Sequence, residues 1–135
     1  MKDYKILAVV GSRTFCDWKR GFKFLNQIFR MYIELGEIVS GDADGADAIG
    51  KKYADVNNIE YTGIPAKWQD MSEPCIRKVD RRGREYNALA GINRNTDIAK
   101  YCDILVAFWD GKSKGTKDVI EKAKEFKKKV IIIHI

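Results

Sequence analysis

Short apolar runs along this chain alternate with stretches in which apolar residues recur every three or four positions. Residues 5–10 (KILAVV) form the first run, nearly continuous, as in a parallel strand covered on both faces. A helix is predicted over 17–35, with Asp17 as N-cap and Gly36 as its stop. Trp18, Phe22, Leu25, Phe29 and Tyr32 recur at helical spacing and predict its buried stripe. Residues 37–40 predict a second strand, 46–57 a helix with Ala46, Ile49, Tyr53 and Val56 inward, and 59–64 a third strand closed by Pro65. This β-α-β-α-β succession implies a parallel sheet with right-handed crossovers.

The rhythm breaks over residues 66–90, which are polar and show no clear period. A stretch this long without structure is uncommon in a compact domain, so it is either functional or partly helical. The pattern then resumes with a helix over 90–101, a strand over 104–108, a helix over 116–127 and a last strand over 130–133. Thr116, Val119, Ile120 and Ala123 form the apolar side of that last helix. The expected fold class is α/β, a Rossmann-like three-layer sandwich. Its mainly parallel five-stranded sheet has the order 3-2-1-4-5, with helices on both faces. One domain over 1–135 is expected, with a basic irregular insertion at 66–90.

Composition narrows the partners. The net charge is +6, which favours an anion, nucleotide or nucleic acid, although Lys127, Lys128 and Lys129 read as solvated surface. Between 67 and 94, seven basic residues (Lys67, Arg77, Lys78, Arg81, Arg82, Arg84, Arg94) face four acidic ones (Asp70, Glu73, Asp80, Glu85), a surplus of three. Three widely spaced cysteines suit buried thiols in a reducing cytoplasm. No metal site is expected, because there is no CxxC and His134 is the sole histidine. No apolar run approaches a membrane span, and no signal peptide is read at the N-terminus.

In a sheet of this order, ligands bind beyond the carboxyl ends of the strands where the order reverses, between the first and fourth. The loops there are Gly11-Ser12-Arg13 and 110–116 (DGKSKGT). Gly11 would let a phosphate or ribose approach the backbone, while Ser12 and Arg13 would donate to anionic oxygens. Gly111, Ser113, Gly115 and Thr116 would cradle phosphate at a helix start. Asp44 and Asp110 could accept from ribose hydroxyls, and Trp68 and Trp109 could stack on a base or simply pack. Asp42 stands where a carboxylate would repel phosphate, unless it turns away.

VVGSRTF at 9–15, VSGDADGAD at 39–47, AGINRN at 90–95 and AFWDGKSKGT at 107–116 resemble the SLOG superfamily. This superfamily of Rossmann-like domains includes the LOG phosphoribohydrolases and the DprA DNA-processing proteins. The resemblance covers nearly the whole chain and is strongest to small stand-alone members. It implies a nucleotide-derived ligand and adds Gly41, Gly45, Asp47, Arg94 and Asn95 to the ligand-binding set. Arg94 and Asn95 resemble the arginine-bearing helix of the LOG pocket; an ion pair with Asp97 is the alternative for Arg94. The LOG motif PGGxGTxxE ends in a glutamate used in glycosidic cleavage, and Val119 stands at that position here.

Three readings result. The first is a binding domain for a nucleotide or ADP-ribose-like small molecule, acting as sensor, carrier or sequestering protein. The second is a nucleotide N-glycosidase or phosphoribohydrolase using Asp44, Asp47 or Asp110 instead of the missing glutamate. The third is a DprA-like nucleic-acid-binding protein, supported by the basic 67–94 segment. By analogy with LOG proteins, a homodimer is expected.

Overall fold

A computed structural model describes residues 3–135. Five parallel strands form the central sheet: β1 (Lys5–Gly11), β2 (Leu35–Ser40), β3 (Glu60–Gly63), β6 (Ile104–Trp109) and β7 (Lys129–His134), in the order β3-β2-β1-β6-β7. Counted within this sheet, the order is the expected 3-2-1-4-5. Strands β1 and β6 are central, in register from Leu7↔Ile104 to Gly11↔Phe108. The helices are α1 (Trp18–Met31), α2 (Ala46–Val56), α3 (Ala90–Tyr101) and α4 (Lys114–Glu125).

Alternation along the strands divides the core into two layers. Leu7 and Val9 of β1 join Val106 and Phe108 of β6 against Leu25 and Ile28 of α1 and Ile49 and Tyr53 of α2. Ile6, Ala8 and Val10 point the other way, with Leu105 and Ala107, against Ile98 and Ala99 of α3 and Val119, Ile120 and Ala123 of α4. Strands apolar on both faces must be covered on both, which is why the unbroken runs at 5–10 and 104–108 end up in the middle.

Several boundaries and faces differ from the sequence reading. Asp17 does cap α1, accepting from the Arg20 amide at 3.2 Å, but the helix ends at Met31. Leu35 pairs with Lys5 of β1, so sheet formation draws 35–36 out of the helix. Gly36 is in the strand, and a Cβ there would come within 2.8 Å of the Tyr4 ring. On α1, Gly21, Leu25 and Ile28 are buried, while Trp18 is exposed and meets Phe22 edge-on. Val56, expected inward, is 61% exposed at the end of α2.

The 66–90 segment contains an antiparallel hairpin, β4 (Arg77–Val79) and β5 (Glu85–Asn87). Three-residue strands are too short to display a period, so sequence pattern could not reveal them. Helix α4 begins at Lys114, two residues earlier than expected, because Ser113 caps it by accepting from the Thr116 amide. Glu37, inside β2, is fully buried, and its carboxylate accepts from the hydroxyls of Tyr4, Thr62 and Tyr101. This polar knot supplies the hydrogen bonds that a carboxyl buried away from water would otherwise lack.

Candidate functional site

A cavity of about 560 Å³ opens where β1 and β6 end. One wall comes from the loop after β1 (Gly11 to Thr14), another from the loop and first turns of α4 (Asp110, Ser113 to Thr116, Asp118, Val119). Helix α3 contributes Gly91, Ile92, Arg94, Asn95 and Ile98; Val10, Ala43, Asp47, Trp68 and Ala88 complete the lining. The position is the one that strand order dictates.

The two loops are bound together at the switch point. Gly11 has φ of +154°, and a Cβ there would lie 2.3 Å from the Phe108 carbonyl oxygen, to which Ser12 donates its amide at 3.0 Å. Ser12 is 4% exposed and its Oγ has no hydrogen-bond partner among the described residues. Asp110 is close enough to sense that hydroxyl, but the two do not meet at bonding geometry. A buried hydroxyl lining a cavity without a partner is costly unless something in the cavity supplies one.

At α4, much of the expected phosphate cradle is occupied by the protein itself. Asp110 Oδ1 accepts from the amides of Lys112 and Ser113, both at 2.8 Å, and Ser113 Oγ accepts from Thr116. The Thr116 hydroxyl lies 3.1 Å from Ser113 Oγ. The amides of Lys114 and Gly115 have no partner among the described residues, as expected of a helix start. They and the Lys114 ammonium, which sequence reading missed, are the donors left for an anion. Nothing in the protein lies within 4 Å of a Cβ built on Gly115, so packing does not demand a glycine there. The loop amides hold the Asp110 carboxyl below the usual aspartate range, first that of Ser113 and then that of Lys112.

Across the cavity, Arg94 donates from Nη1 to the Gly41 carbonyl at 2.8 Å and from Nε to Asn95 Oδ1 at 3.2 Å. Its Nη2 makes no hydrogen bond among the described residues, and it does not pair with Asp97. Asp47 is 6% exposed; its Oδ2 accepts from the amides of Gly41 and Ala43 at 2.9 and 3.4 Å. Burial pushes its carboxyl above the usual range, against the Ala43 amide and the Arg94 charge, which pull it down. Burial likewise lowers Arg94, while Asp47 raises it. Asn95 bridges α3 to α4, donating from Nδ2 to the Gly115 carbonyl at 3.2 Å and to Asp118 Oδ2 at 3.0 Å. Lys122 pairs with the same oxygen of Asp118 at 3.2 Å. Asp118 therefore reaches the cavity wall beside Val119.

Of the residues expected at the site, Gly11, Ser12, Arg13, Asp47, Trp68, Arg94, Asn95, Asp110, Ser113, Gly115 and Thr116 come together around the cavity. Gly41, Asp44, Gly45, Trp109 and Gly111 do not line it. Gly41 makes room for the guanidinium, since a Cβ there would come 2.3 Å from Arg94 Nη1. Gly45, at φ of +75°, brings the start of α2 against the Ser12 and Arg13 backbone, where a Cβ would collide at 2.3 Å. Asp44 is exposed, and Gly111 turns the loop at φ of +79°. Trp109 donates its indole N–H to the Ser113 carbonyl at 3.0 Å and packs under α4, so it shapes the loop instead of presenting a stacking face. Asp42 turns away to accept from the Tyr61 hydroxyl, beside Gly63 at the β3 edge. Among the described residues, no group of three or more His, Cys, Asp or Glu is arranged to hold a metal ion. No helix among them is long and apolar enough to cross a membrane.

Comparison with known proteins agrees with this geometry. Residues 5–70 match the family YAcAr, the YspA, cpYpsA-related SLOG family. No curated protein matches the chain. Among solved structures, the chain is similar to DNA processing protein A (DprA) from Streptococcus pneumoniae, with a TM-score of 0.69 and 24% identity over 96% of this chain. It is also similar to DNA processing protein A from Helicobacter pylori, described for its single-stranded DNA binding mode, with a TM-score of 0.59 and 16% identity over 96% of this chain. The chain spans 50% of the first structure and 65% of the second. These likenesses are of fold. Residues 5–70, which hold β1 to β3, are thus similar to this SLOG family, and the expected sheet order continues through β6 and β7.

Proposed function

We propose that the cavity binds a nucleotide or nucleotide-derived small molecule, such as an ADP-ribose-like compound, and that the chain acts as its sensor, carrier or sequestering domain. The observation that carries this reading is the unpartnered Ser12 hydroxyl, 4% exposed, lining the same cavity as the free Lys114 and Gly115 amides. Three otherwise unused donors from two distant loops converge there, and Arg94 contributes a guanidinium with one nitrogen unclaimed. Phosphate satisfies such a set better than water does, because it is charged and accepts several hydrogen bonds at once. Trp68, at the cavity's edge, offers a ring for the base.

A thermal-shift panel of AMP, ADP and ADP-ribose tests the reading. At least one should raise the melting temperature, and Arg94→Ala should remove that shift while the circular dichroism spectrum stays that of the wild type. A panel with no stabilising member would refute it.

One observation favours catalysis as a second reading. Asp47 is a buried carboxyl facing the cavity, held above the normal aspartate range by burial. An acid whose protonated form is favoured by burial is the kind of group that can protonate a leaving base in cleavage of an N-glycosidic bond. Asp110 suits that role less, because its Oδ1 is bound into the loop and the group is held ionised. Chromatography of nucleoside monophosphates incubated with the protein would show free base if this reading holds, and Asp47→Asn would abolish its release.

A further inference from the structure

Helix α1 carries four cations, Lys19, Arg20, Lys23 and Arg30, and no acid. Arg20 serves the fold: its Nη2 donates to the His134 carbonyl at 2.8 Å, and its guanidinium lies over the Phe24 ring. Lys19, Lys23 and Arg30 have no hydrogen bond or ion pair among the described residues. Helix α4 shows how the chain treats a lysine-rich face that only meets water. There Lys117 and Lys122 each face an acid one turn away, Glu121 at 3.9 Å and Asp118 at 3.2 Å. Nothing on α1 balances Lys19 and Lys23, which stand one turn apart near the helix start. Like charges at that spacing repel, and the positive end of the helix dipole opposes both. Helix stability would favour acids there, so it gives no reason for the pattern.

The same face holds a groove of about 540 Å³, running from Trp18 past Phe22 and Asn26 to Arg30 and flanked by Lys19 and Lys23. Positions 18, 22, 26 and 30 follow at four-residue spacing, so the stripe is about 18 Å long. A second helix can lie along a stripe of that form. Trp18 is 46% exposed, meets Phe22 edge-on, and has the ammonium groups of Lys19 and Lys52 at 5.8 and 5.0 Å from its ring centroid. Cations held over the ring take up the face that a nucleobase would need. What remains for a partner is positive charge beside exposed ring area. Asn26 Oδ1 accepts from the Tyr53 hydroxyl at 2.7 Å. The amides of Asn26 and Gln27 interrupt the continuous apolar face that insertion into a lipid surface requires. Charge complementarity therefore selects a protein segment rich in carboxylates, with an apolar residue for the two rings.

We propose that this face of α1 docks an acidic amphipathic helix of a partner protein. Its carboxylates would meet Lys19, Lys23 and Arg30, and an apolar side chain would cover Trp18 and Phe22. No residue of the stripe lines the strand-end cavity, so the proposal stands apart from the ligand reading. The test is fluorescence anisotropy of the full chain with a labelled helical peptide of about 18 residues. One version bears glutamates around a leucine stripe; in two others glutamine or lysine replaces glutamate. Wild type should bind the glutamate peptide about tenfold tighter than the glutamine one, or more, and salt should weaken that binding. Lys19→Glu with Lys23→Glu should reverse the preference, towards the lysine peptide. Its melting temperature should hold or rise, since acids suit a helix start. Trp18→Ala should weaken binding about tenfold or more. No binding of the glutamate peptide at low salt would overturn the proposal, as would equal affinity for the glutamine peptide or an unreversed preference in the double variant. Two other outcomes would overturn it by naming a different occupant. Self-association of wild type that the double variant abolishes in sedimentation would assign the face to a second copy of this chain. Vesicles of phosphatidylserine and phosphatidylcholine bound more tightly than the peptide would assign it to a membrane. Any nucleotide-induced thermal shift should be the same in wild type and both variants, so failure of either reading leaves the other standing.

Discussion

At Gly115 the interests of fold and site diverge. The residue is in the first turn of α4, and outside its chain neighbours and its own helix backbone no described atom lies within 4 Å of its would-be Cβ, so Gly115→Ala meets no clash. Alanine in a helix is favoured by about 0.5 kcal/mol or more, and the variant should melt higher. If the cavity holds a phosphate against the amides of 114 and 115, the same methyl should weaken nucleotide binding; calorimetry on one sample measures both. Asp47 gives a prediction in pH. Its folded-state carboxyl is raised above the ordinary value of 3.8, so the native state keeps a proton that the unfolded chain has released. Its contribution is complete below the ordinary value and is lost as pH rises through the raised one. Asp47→Asn, which imitates the protonated form, should therefore gain stability relative to wild type as pH climbs through that window. Denaturant melts at successive pH values would show the gap opening, and a constant gap would refute the assignment. Legibility at this scale was uneven. Residue type and loop position pointed to Ser12, and the family resemblance to Arg94 and Asn95, all three at the cavity, but Trp109 and Gly41 serve packing, because a motif does not say which side of a loop a side chain takes.

Among the elements, those with long periods were legible and those built by side-chain capping were not. Five strands and four helices could be read from apolar spacing alone. The end of α1 could not, because helical spacing continues to Leu35 while pairing with β1 claims that residue. The β4–β5 hairpin depends on the buried Asn87, whose side chain bonds to the backbone of Asp70, Pro74, Ile76 and Leu89, and on Asp80, which accepts from the amides of Arg82 and Arg84 across the turn. Neither leaves a periodic trace. The loop into α4 is built the same way around Asp110. Asp110→Ala should release the Lys112 and Ser113 amides and loosen that loop, lowering the melting temperature at neutral pH. The sign with pH is opposite to that of Asp47: the Asp110 carboxyl is depressed, so its contribution is present above the ordinary aspartate value and lost as pH falls through the lowered one. Wild type and Asp110→Ala should accordingly converge in acid.

Taken whole, the molecule is a rigid sheet with its working parts at one end. Strands β1 and β6 are covered on both faces, so their amides should exchange most slowly with deuterium, at rates set by global unfolding. The exposed strands of the hairpin should exchange far faster, with the buried Asn87 amide as a local exception. Parallel exchange of the two regions would mean that the hairpin is part of the cooperative core. The sheet order was legible because two unbroken apolar runs can only be central; the cavity's occupants were not, because charge and loop chemistry fit more than one phosphate-bearing ligand. The hairpin turn at Gly83 has a further consequence. With φ of +79° and nothing within 4 Å, Gly83 is a solvent-facing tip on a firmly held stem. A fluorophore attached at a cysteine introduced beside it, with the exposed Cys16 replaced, would sit at the exposed end of the hairpin without touching the sheet. The domain would then be an optical reporter of whatever it captures.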